Sequence, residues 1–522
     1  MNAAFQQRWQ RAEQLSRAKR WKDAAPLHRS LTVESPGFVP AWLELSLAED
    51  MLGHYRAART ALEQAIRHAR DIPPLAGMAI ARRLRRFDMM DVLLEWIQQN
   101  RFDRALPAPM LVELATYFST GGAFDLPKEW VQRALALQPG YAPAHHAQGL
   151  LQMFAGDDHA AAESFLHAIR LDPDLAASYS VLAKVQPATA GANRVAALRA
   201  RLAGNAHDAL KMHYGYALHT ELHDLGDHDE AWSALREGQR AQRRVRPYDL
   251  ATDLATFKRL EQLCTREFIA AGQAFDDPIT PIFIVGLHRS GTTLTERLLT
   301  GHPDVADGGE TTTFPAQLRW AADYFGEGPI SPPIVERAAG FDYPAIGRGF
   351  LDAMRWRARD KRYLTEKYNP NFAVVGLIAR ALPQARVLDV RRDAADTCFS
   401  NLRQLFAGGV GYADDPLEMA DFYKGYHDLM TQIASVASDQ VLTVHYQQLV
   451  DAPEATAGEI ARHCGFDFDP AMLDLGRADG MVATASATQV RKGILRDRGR
   501  LWANYQPQLQ PMLDRLATHG LL

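Results

Sequence analysis

Cysteine is scarce. Cys264, Cys398 and Cys464 are the only three in 522 residues, widely spaced and without a C-x-x-C pair. An odd, dispersed set argues against a disulfide framework or a cysteine zinc site and reads as reduced thiols in a cytosolic protein. Long apolar runs are also missing: no stretch of about 18 apolar residues occurs, so no membrane span is expected. The opening MNAAFQQRWQRAEQ is polar and helical in pattern, unlike a secretion signal. Charge of one sign is not in excess either, since 58 Lys and Arg face 62 Asp and Glu for a formal −4. That balance suits no polyanion, so no nucleic-acid partner is expected. What remains is an ordinary globular composition, 47% hydrophobic and 23% charged, in a chain long enough for two or three domains.

A last absence is more telling. Residues 281–294 read PIFIVGLHRSGTTL. The β-branched and aromatic run 282–285 suits a buried parallel strand. Gly286 and Gly291 then bracket a loop, and Thr292 and Thr293 open a helix whose apolar face is Leu294, Leu298 and Leu299. The glycine spacing is that of a Walker A loop, but Thr292 stands where the lysine belongs. A helix start of this kind offers N–H groups and positive dipole to an anion, and Arg289 adds a full charge. The reading is a phosphate-cradling loop adapted to a donor other than a nucleoside triphosphate; the plain alternative is a Gly- and Thr-rich strand-to-helix turn.

Residues 1 to about 250 carry amphipathic helix patterns and little strand signal. An internal repeat is visible, because Leu137-Gln-Pro139-Gly-Tyr141 recurs 34 positions later as Leu171-Asp-Pro173-Asp-Leu175. Ala134 and Ala168 share that offset, as do Val131 and Phe165, with Gly149, Gly156 and Ala161 between. This pattern resembles the tetratricopeptide repeat, in which small residues let two helices nest. Weaker copies stand at Gly226 to Ala231, Arg20 to Ala24 and Gly53 to Ala57. Residues 75–125 read as helical but irregular, and residues 187–204 break the period as an insertion would. The expectation is a solenoid of four to six helix pairs. It either binds peptide, props the second half of the chain, or pairs two copies as a homodimer. Residues 250–272 read as one amphipathic helix, and Pro278 and Pro281 mark the boundary to the next domain.

After Pro281 strand and helix patterns alternate, with strands at 282–285, 363–366, 386–390 and 441–444. That argues for a parallel sheet covered by helices, an α/β P-loop-type domain. Candidate functional residues gather at the strand ends. Glu310 follows a Gly-Gly turn, where it can face the mouth of the loop. Lys367 ends a strand, which in an open sheet points to the ligand crevice, although a solvated lysine reads the same way. Arg391 and Arg392 leave the next strand; such a pair can grip a second phosphate or form surface ion pairs with Asp393 and Asp396. Ser400 follows on a helix, and Tyr446 ends a fourth strand. Arg491 and Lys492 sit in a basic, small-residue loop near the C-terminus.

Together these residues resemble the sulfotransferase family, which uses 3′-phosphoadenosine 5′-phosphosulfate (PAPS). Tetratricopeptide repeats ahead of such a domain are similar to a bacterial class, and the second half resembles the tyrosylprotein sulfotransferases. The resemblance rests on His-Arg289-Ser290-Gly291-Thr292-Thr293-Leu, Gly-His-Pro-Asp-Val, Gly-Glu310-Thr, Arg392-Asp with Ser400 eight residues on, and Tyr446-Gln-Gln-Leu-Val. It implies that Arg289 through Thr293 hold the 5′-phosphosulfate. Arg392, Ser400 and Tyr446 would hold the 3′-phosphate, and Arg491 or Lys492 would close over the nucleotide. It implies Glu310 as general base, with Arg289 and Lys367 at the transferred group. The chain departs from the family at His288 and Ala394, where proline is usual, and at Gly309, where an acid is usual. The C-terminal loop also lacks the family's tryptophan.

The resulting expectation is a cytoplasmic PAPS-dependent sulfotransferase. It needs no metal and acts on an acceptor hydroxyl, including that of a peptide or protein tyrosine bound by the repeats. A P-loop kinase using ATP, or a repeat scaffold with an inactive transferase domain, are the competing readings. The domains expected are 1–250, a connector at 251–280, and 281–522. Residues 403–425, rich in glycine, are expected to form a lid over the acceptor.

Overall fold

The computed structural model describes residues 2–69, 73–118, 125–204, 206–326, 328–406, 408, 410–475 and 500–522. Arg491 and Lys492 therefore lie outside the described residues.

The amphipathic first half folds as helices throughout, fourteen of them from Ala3–Arg17 to His228–Val245 among the described residues. Most consecutive helices pack as neighbours, as the sequence period requires. The small-residue positions explain the spacing: a Cβ on Gly149 would lie 2.6 Å from the ring of Phe165, so the two helices of that repeat approach as they do only because the side chain is absent. The array exceeds the four to six pairs expected. Pro74–Arg86 with Met90–Asn100, and Ala108–Phe118 with Asp125–Leu137, are further pairs. Their pattern is irregular because Arg101 turns left-handed (φ 51°) and a 3-10 turn, Phe102–Ala105, lengthens the connection. The region 187–204 holds a short helix of its own, Val195–Ala203, while Ala176–Val185 packs directly on Asp208–Asp224.

The connector is not one helix. Leu250–Leu263 ends at Cys264, and Arg266–Ala270 starts anew. Thr265 causes the break: its hydroxyl accepts from the Phe268 N–H at 3.2 Å, so the residue caps a new helix instead of continuing the old one. Helix Leu250–Leu263 packs against helix Pro416–Val436, and one buried apolar cluster runs from Ala176 and Leu218 through Phe257 to Phe283, Val387 and Leu516.

Among the described residues the second half is built on five parallel strands: β1 (Thr280–Val285), β2 (Val305–Asp307), β3 (Tyr363–Glu366), β4 (Arg386–Arg391) and β5 (Val441–His445). Their order is β2-β3-β1-β4-β5. Four of the five match the sequence reading. β2 escaped it because three residues at a sheet edge are too short to show a period. Strand β1 is buried from Pro281 to Val285, as its unbroken apolar run demands. The chain goes out from β1 to one side, returns, and goes to the other. The carboxyl end of β1 is thus the switch point at which open α/β sheets form their ligand crevice.

Among the described residues the array touches this domain at several places. Arg56 N donates to Asp323 at 2.8 Å and Thr313 donates to Asp88 at 3.0 Å. Farther along, Gln239 donates to the carbonyl of Leu402, and Arg236 and Arg243 pair with Asp415 and Glu418. The stretch expected to be a lid is half helix, since Pro416–Val436 begins inside it with Asp415 as its cap. Among the described residues no helix is long and apolar enough to cross a membrane.

Candidate active site

Because all five strands run the same way, each carboxyl end delivers a candidate residue to one edge of the sheet. β2 leads to Glu310, β3 to Lys367, β1 to the loop 286–293, β4 to Arg392 and β5 to Tyr446.

The loop is held by backbone geometry and by one asparagine. Gly286, Arg289 and Gly291 have φ of 138°, 69° and 112°. At Gly291, the cap of helix Thr292–Leu299, a Cβ would come within 2.4 Å of the Tyr446 ring. Both the positive φ and the close approach therefore require glycine there. Asn369 donates to the carbonyls of Gly286 and Leu287 at 3.1 and 3.0 Å and to Thr292 Oγ1 at 3.2 Å, tying the loop to the segment after β3. Ser290 is buried, and its hydroxyl has no hydrogen-bond partner among the described residues. A buried hydroxyl left unpaired costs about 1–3 kcal/mol, which an anion in the loop would recover.

On one side of the loop lies a lysine between two carboxylates. Lys367, only 1% exposed, pairs with Glu310 and lies 4.0 Å from Glu296 Oε2. Its backbone N–H donates to the Gly309 carbonyl at 3.1 Å, which fixes the turn carrying Glu310. Burial would depress the Lys367 ammonium, but Glu310 and Glu296 together hold it above its ordinary value. Burial pushes Glu296 well above the usual carboxylate range. Lys367 opposes that shift, while Asp307, Glu310 and Glu366 reinforce it. Glu310 is the more open of the two carboxylates, its side chain 35% exposed. Behind them Glu366 accepts from Thr311 at 3.2 Å and from Asn371 at 2.8 Å, and burial raises it to about 8.

On the other side, arginines face a cavity of about 220 Å³. Arg289, Arg392, Ser400 and Arg403 line it from the sheet domain, and Lys184 and Thr220 from the helical array. Arg289 Nε donates to Ser400 Oγ at 3.1 Å, and Arg392 Nη2 reaches Asp396 at 3.2 Å. The Arg392 guanidinium stands 5.2 Å over the Tyr446 ring, so Tyr446 touches both the arginine and the loop glycine. Arg289 and Ser400, given to opposite ends of the donor by the family resemblance, are thus hydrogen-bonded to each other.

A larger cavity, about 450 Å³, opens between array and sheet domain. Its walls include Tyr248, Phe257, Phe372, Tyr412 and Phe422. Tyr412 stacks on Phe422 at 3.6 Å and its hydroxyl lies 3.2 Å from His288 Nδ1, which connects this cavity to the loop. Burial, reinforced by Lys367 and Arg289, lowers His288 to about 3, so the imidazole is neutral. Asp389, the acid that a kinase would offer to a metal, is buried and bonded to Tyr426 and Arg391, each at 2.6 Å.

Sequence reasoning misses four residues of this edge. Glu296 stands four residues after Thr292, and Arg403 three after Ser400, so helical spacing places both on faces that already carry candidate residues. Asn369 is two residues past Lys367. Lys184 belongs to the array and carries no sequence signal, because only tertiary packing brings it here.

Comparison with known proteins fits this geometry. Residues 281–470 match the family described as "Sulfotransferase family", and residues 142–175 match the tetratricopeptide repeat. An uncharacterized protein of Aquifex aeolicus is 28% identical over 312 residues, 58% of this chain and 41% of that protein. The match thus reaches less than half of that relative's length. Protein-tyrosine sulfotransferase 1 of Danio rerio is 27% identical over 255 residues, 45% of this chain and 71% of its own. A solved sulfotransferase from Alicyclobacillus acidocaldarius aligns with 46% of this chain and 94% of its own at 17% identity and TM-score 0.26. The strand-end residues, the lysine-free loop and the family match agree over one region: residues 281–470 form a sulfotransferase-family domain, and a tetratricopeptide repeat at 142–175 stands ahead of it.

Proposed function

We propose that the chain transfers the sulfuryl group of PAPS to an acceptor hydroxyl, with Glu310 as the general base. The observation that carries this reading is the Lys367–Glu310 pair beside a phosphate-type loop that has no lysine of its own. Two features support a fit to the donor. Ser290 has a buried hydroxyl without a hydrogen-bond partner among the described residues, and its neighbour Arg289 lines a cavity together with Arg392 and Arg403.

In the reaction, the acceptor oxygen forms a bond to sulfur as the bond from sulfur to the bridging phosphate oxygen breaks. Glu310, the more open of the two carboxylates, takes the acceptor proton. Lys367 and Arg289 stabilise the negative charge that develops on the bridging oxygen, and the loop N–H groups add to them. Burial pushes Glu296 well above the usual carboxylate range, which favours its protonated form and loosens its hold on the Lys367 charge relative to that of Glu310. Ser400, Arg392 and Tyr446 anchor the far phosphate, and that remote binding energy positions the sulfur. The similarity to protein-tyrosine sulfotransferases favours a tyrosine hydroxyl as acceptor. The aromatic cavity beside His288 supports that choice, since its walls suit an aryl ring.

The test is release of adenosine 3′,5′-bisphosphate from PAPS in the presence of a tyrosine-containing peptide. Glu310→Gln should bind PAPS with near-normal affinity and turn over about 10²–10⁴-fold more slowly. Unchanged turnover would remove Glu310 from the reaction.

A further inference from the structure

We propose that the helical array completes the donor site: Lys184, from the repeat helix Ala176–Val185, binds the ribose 3′-phosphate together with Arg392 and Ser400. This rests on the reading of the chain as a PAPS-dependent transferase.

The cavity of about 220 Å³ is smaller than the roughly 300 Å³ of a complete small-molecule pocket, so it suits one end of a nucleotide. Lys184, Arg289, Arg392 and Arg403 bring four positive charges to its walls, and Asp224 and Asp396 bring two negative ones. The surplus of two matches the charge of a phosphate monoester near neutral pH. Both carboxylates are engaged within the protein, Asp396 with Arg392 and with the N–H of Arg500, and Asp224 with the N–H of Ala188. Lys184 donates to the Gln404 side-chain oxygen at 3.0 Å, a neutral acceptor that a phosphate oxygen can replace.

The array also holds Arg403 in place. His219 Nε2 accepts from Arg403 Nε at 3.0 Å, while His219 Nδ1 donates to the Ala231 carbonyl at 2.9 Å. That arrangement needs a neutral imidazole, and burial with the nearby Arg403 keeps His219 far below its ordinary value. Lys184 reports the same local field. The side chain is open to solvent on the cavity wall, yet the crowding walls, with Arg289 and Arg403, lower its ammonium to about 8. A dianion seated among these groups would relieve their mutual repulsion.

The experiment is titration calorimetry on the full chain with adenosine 3′,5′-bisphosphate and with adenosine 5′-monophosphate. Thermal unfolding of each variant checks the fold. Lys184→Met should weaken the bisphosphate about tenfold or more and leave the monophosphate unchanged. Lys184→Arg should bind both within about threefold of wild type, since it keeps the charge. If Lys184→Met binds the bisphosphate as wild type does, or loses both nucleotides equally, the assignment of Lys184 falls while the donor reading stands. If wild type shows no preference for the bisphosphate, the donor reading falls first and this proposal with it. Lys184→Gln replaces Lys184→Met should the methionine variant fail to fold.

Discussion

The two flanks of the 286–293 loop are built on opposite principles. On the β2–β3 flank a buried lysine sits between Glu310 and Glu296, and charge is nearly balanced within the protein. On the β4 flank cations outnumber carboxylates around an open cavity, and the balance waits for something from outside. A closed, balanced set can hold a proton acceptor and an electrophile at fixed positions without binding anything. An open, unbalanced set gains most when an anion arrives. The contrast suggests a division of labour, with chemistry on the closed flank and affinity on the open one.

Lys367→Met tests the closed flank hardest. Methionine keeps the volume and the burial but removes the charge at the centre of the trio. Turnover should fall roughly 10³-fold, about 4 kcal/mol of transition-state stabilisation, with donor affinity changed by less than about threefold. Removing one partner of a buried ion pair costs about 3–5 kcal/mol of stability unless the acids left behind take up protons, so thermal unfolding of the variant accompanies the kinetics. Single-turnover rates and donor titration separate the two quantities. A large loss of donor affinity with normal turnover would erase the distinction between the flanks.

Arg392→Ala probes the open flank and should do the reverse. Loss of charge-assisted hydrogen bonds to the 3′-phosphate should weaken adenosine 3′,5′-bisphosphate about tenfold to a hundredfold. Turnover at saturating donor should drop far less. With adenosine 5′-monophosphate as the ligand, wild type and variant should bind alike, because the group that Arg392 would meet is gone.

Much of this edge is legible in the order of residues, and the reason is topological. In a parallel sheet the residue that follows each strand is delivered to the same edge, so finding strands by their apolar runs also locates Lys367, Arg392 and Tyr446. The repeat period at Pro139 and Pro173 is legible for a similar reason, since small residues must recur wherever helices nest. What stays hidden is non-local. The array's share of the cavity, Lys184, depends on how two folded regions meet, and no spacing within the chain encodes that. β2 is hidden by its length, and the helix break at Thr265 by the fact that a single hydroxyl outcompetes an otherwise continuous amphipathic pattern. The hydrogen bond between Arg289 and Ser400 is hidden too, because no sequence spacing encodes side-chain direction at a left-handed residue.

The smallest effect should appear in the pH dependence of stability, where the two flanks act with opposite sign. Glu366, behind the closed flank, has its folded value raised to about 8. The folded state therefore holds a proton that the unfolded chain releases near 4.5. This contribution is full below about 4.5 and is lost as pH rises toward 8. His219, beside the open flank, is held well below its ordinary value, so the unfolded chain takes up a proton first. Its contribution is full above about 6.5 and is lost as pH falls below that. His223, lowered to about 3 by burial, Arg403 and His228, acts in the same direction. Each group changes stability by at most about 1.4 kcal/mol per pH unit within its window. In urea unfolding between pH 5 and 8.5, Glu366→Gln should remove a loss of stability with rising pH that runs across the range up to about 8, so the variant gains on wild type as pH rises. His219→Gln should flatten the acid limb only, because glutamine can still accept from Arg403 but takes up no proton. If both variants changed the slope of stability with pH in the same direction, the charge states assigned to the two flanks would be wrong, and the neutral histidine that holds Arg403 would be the first element to reconsider.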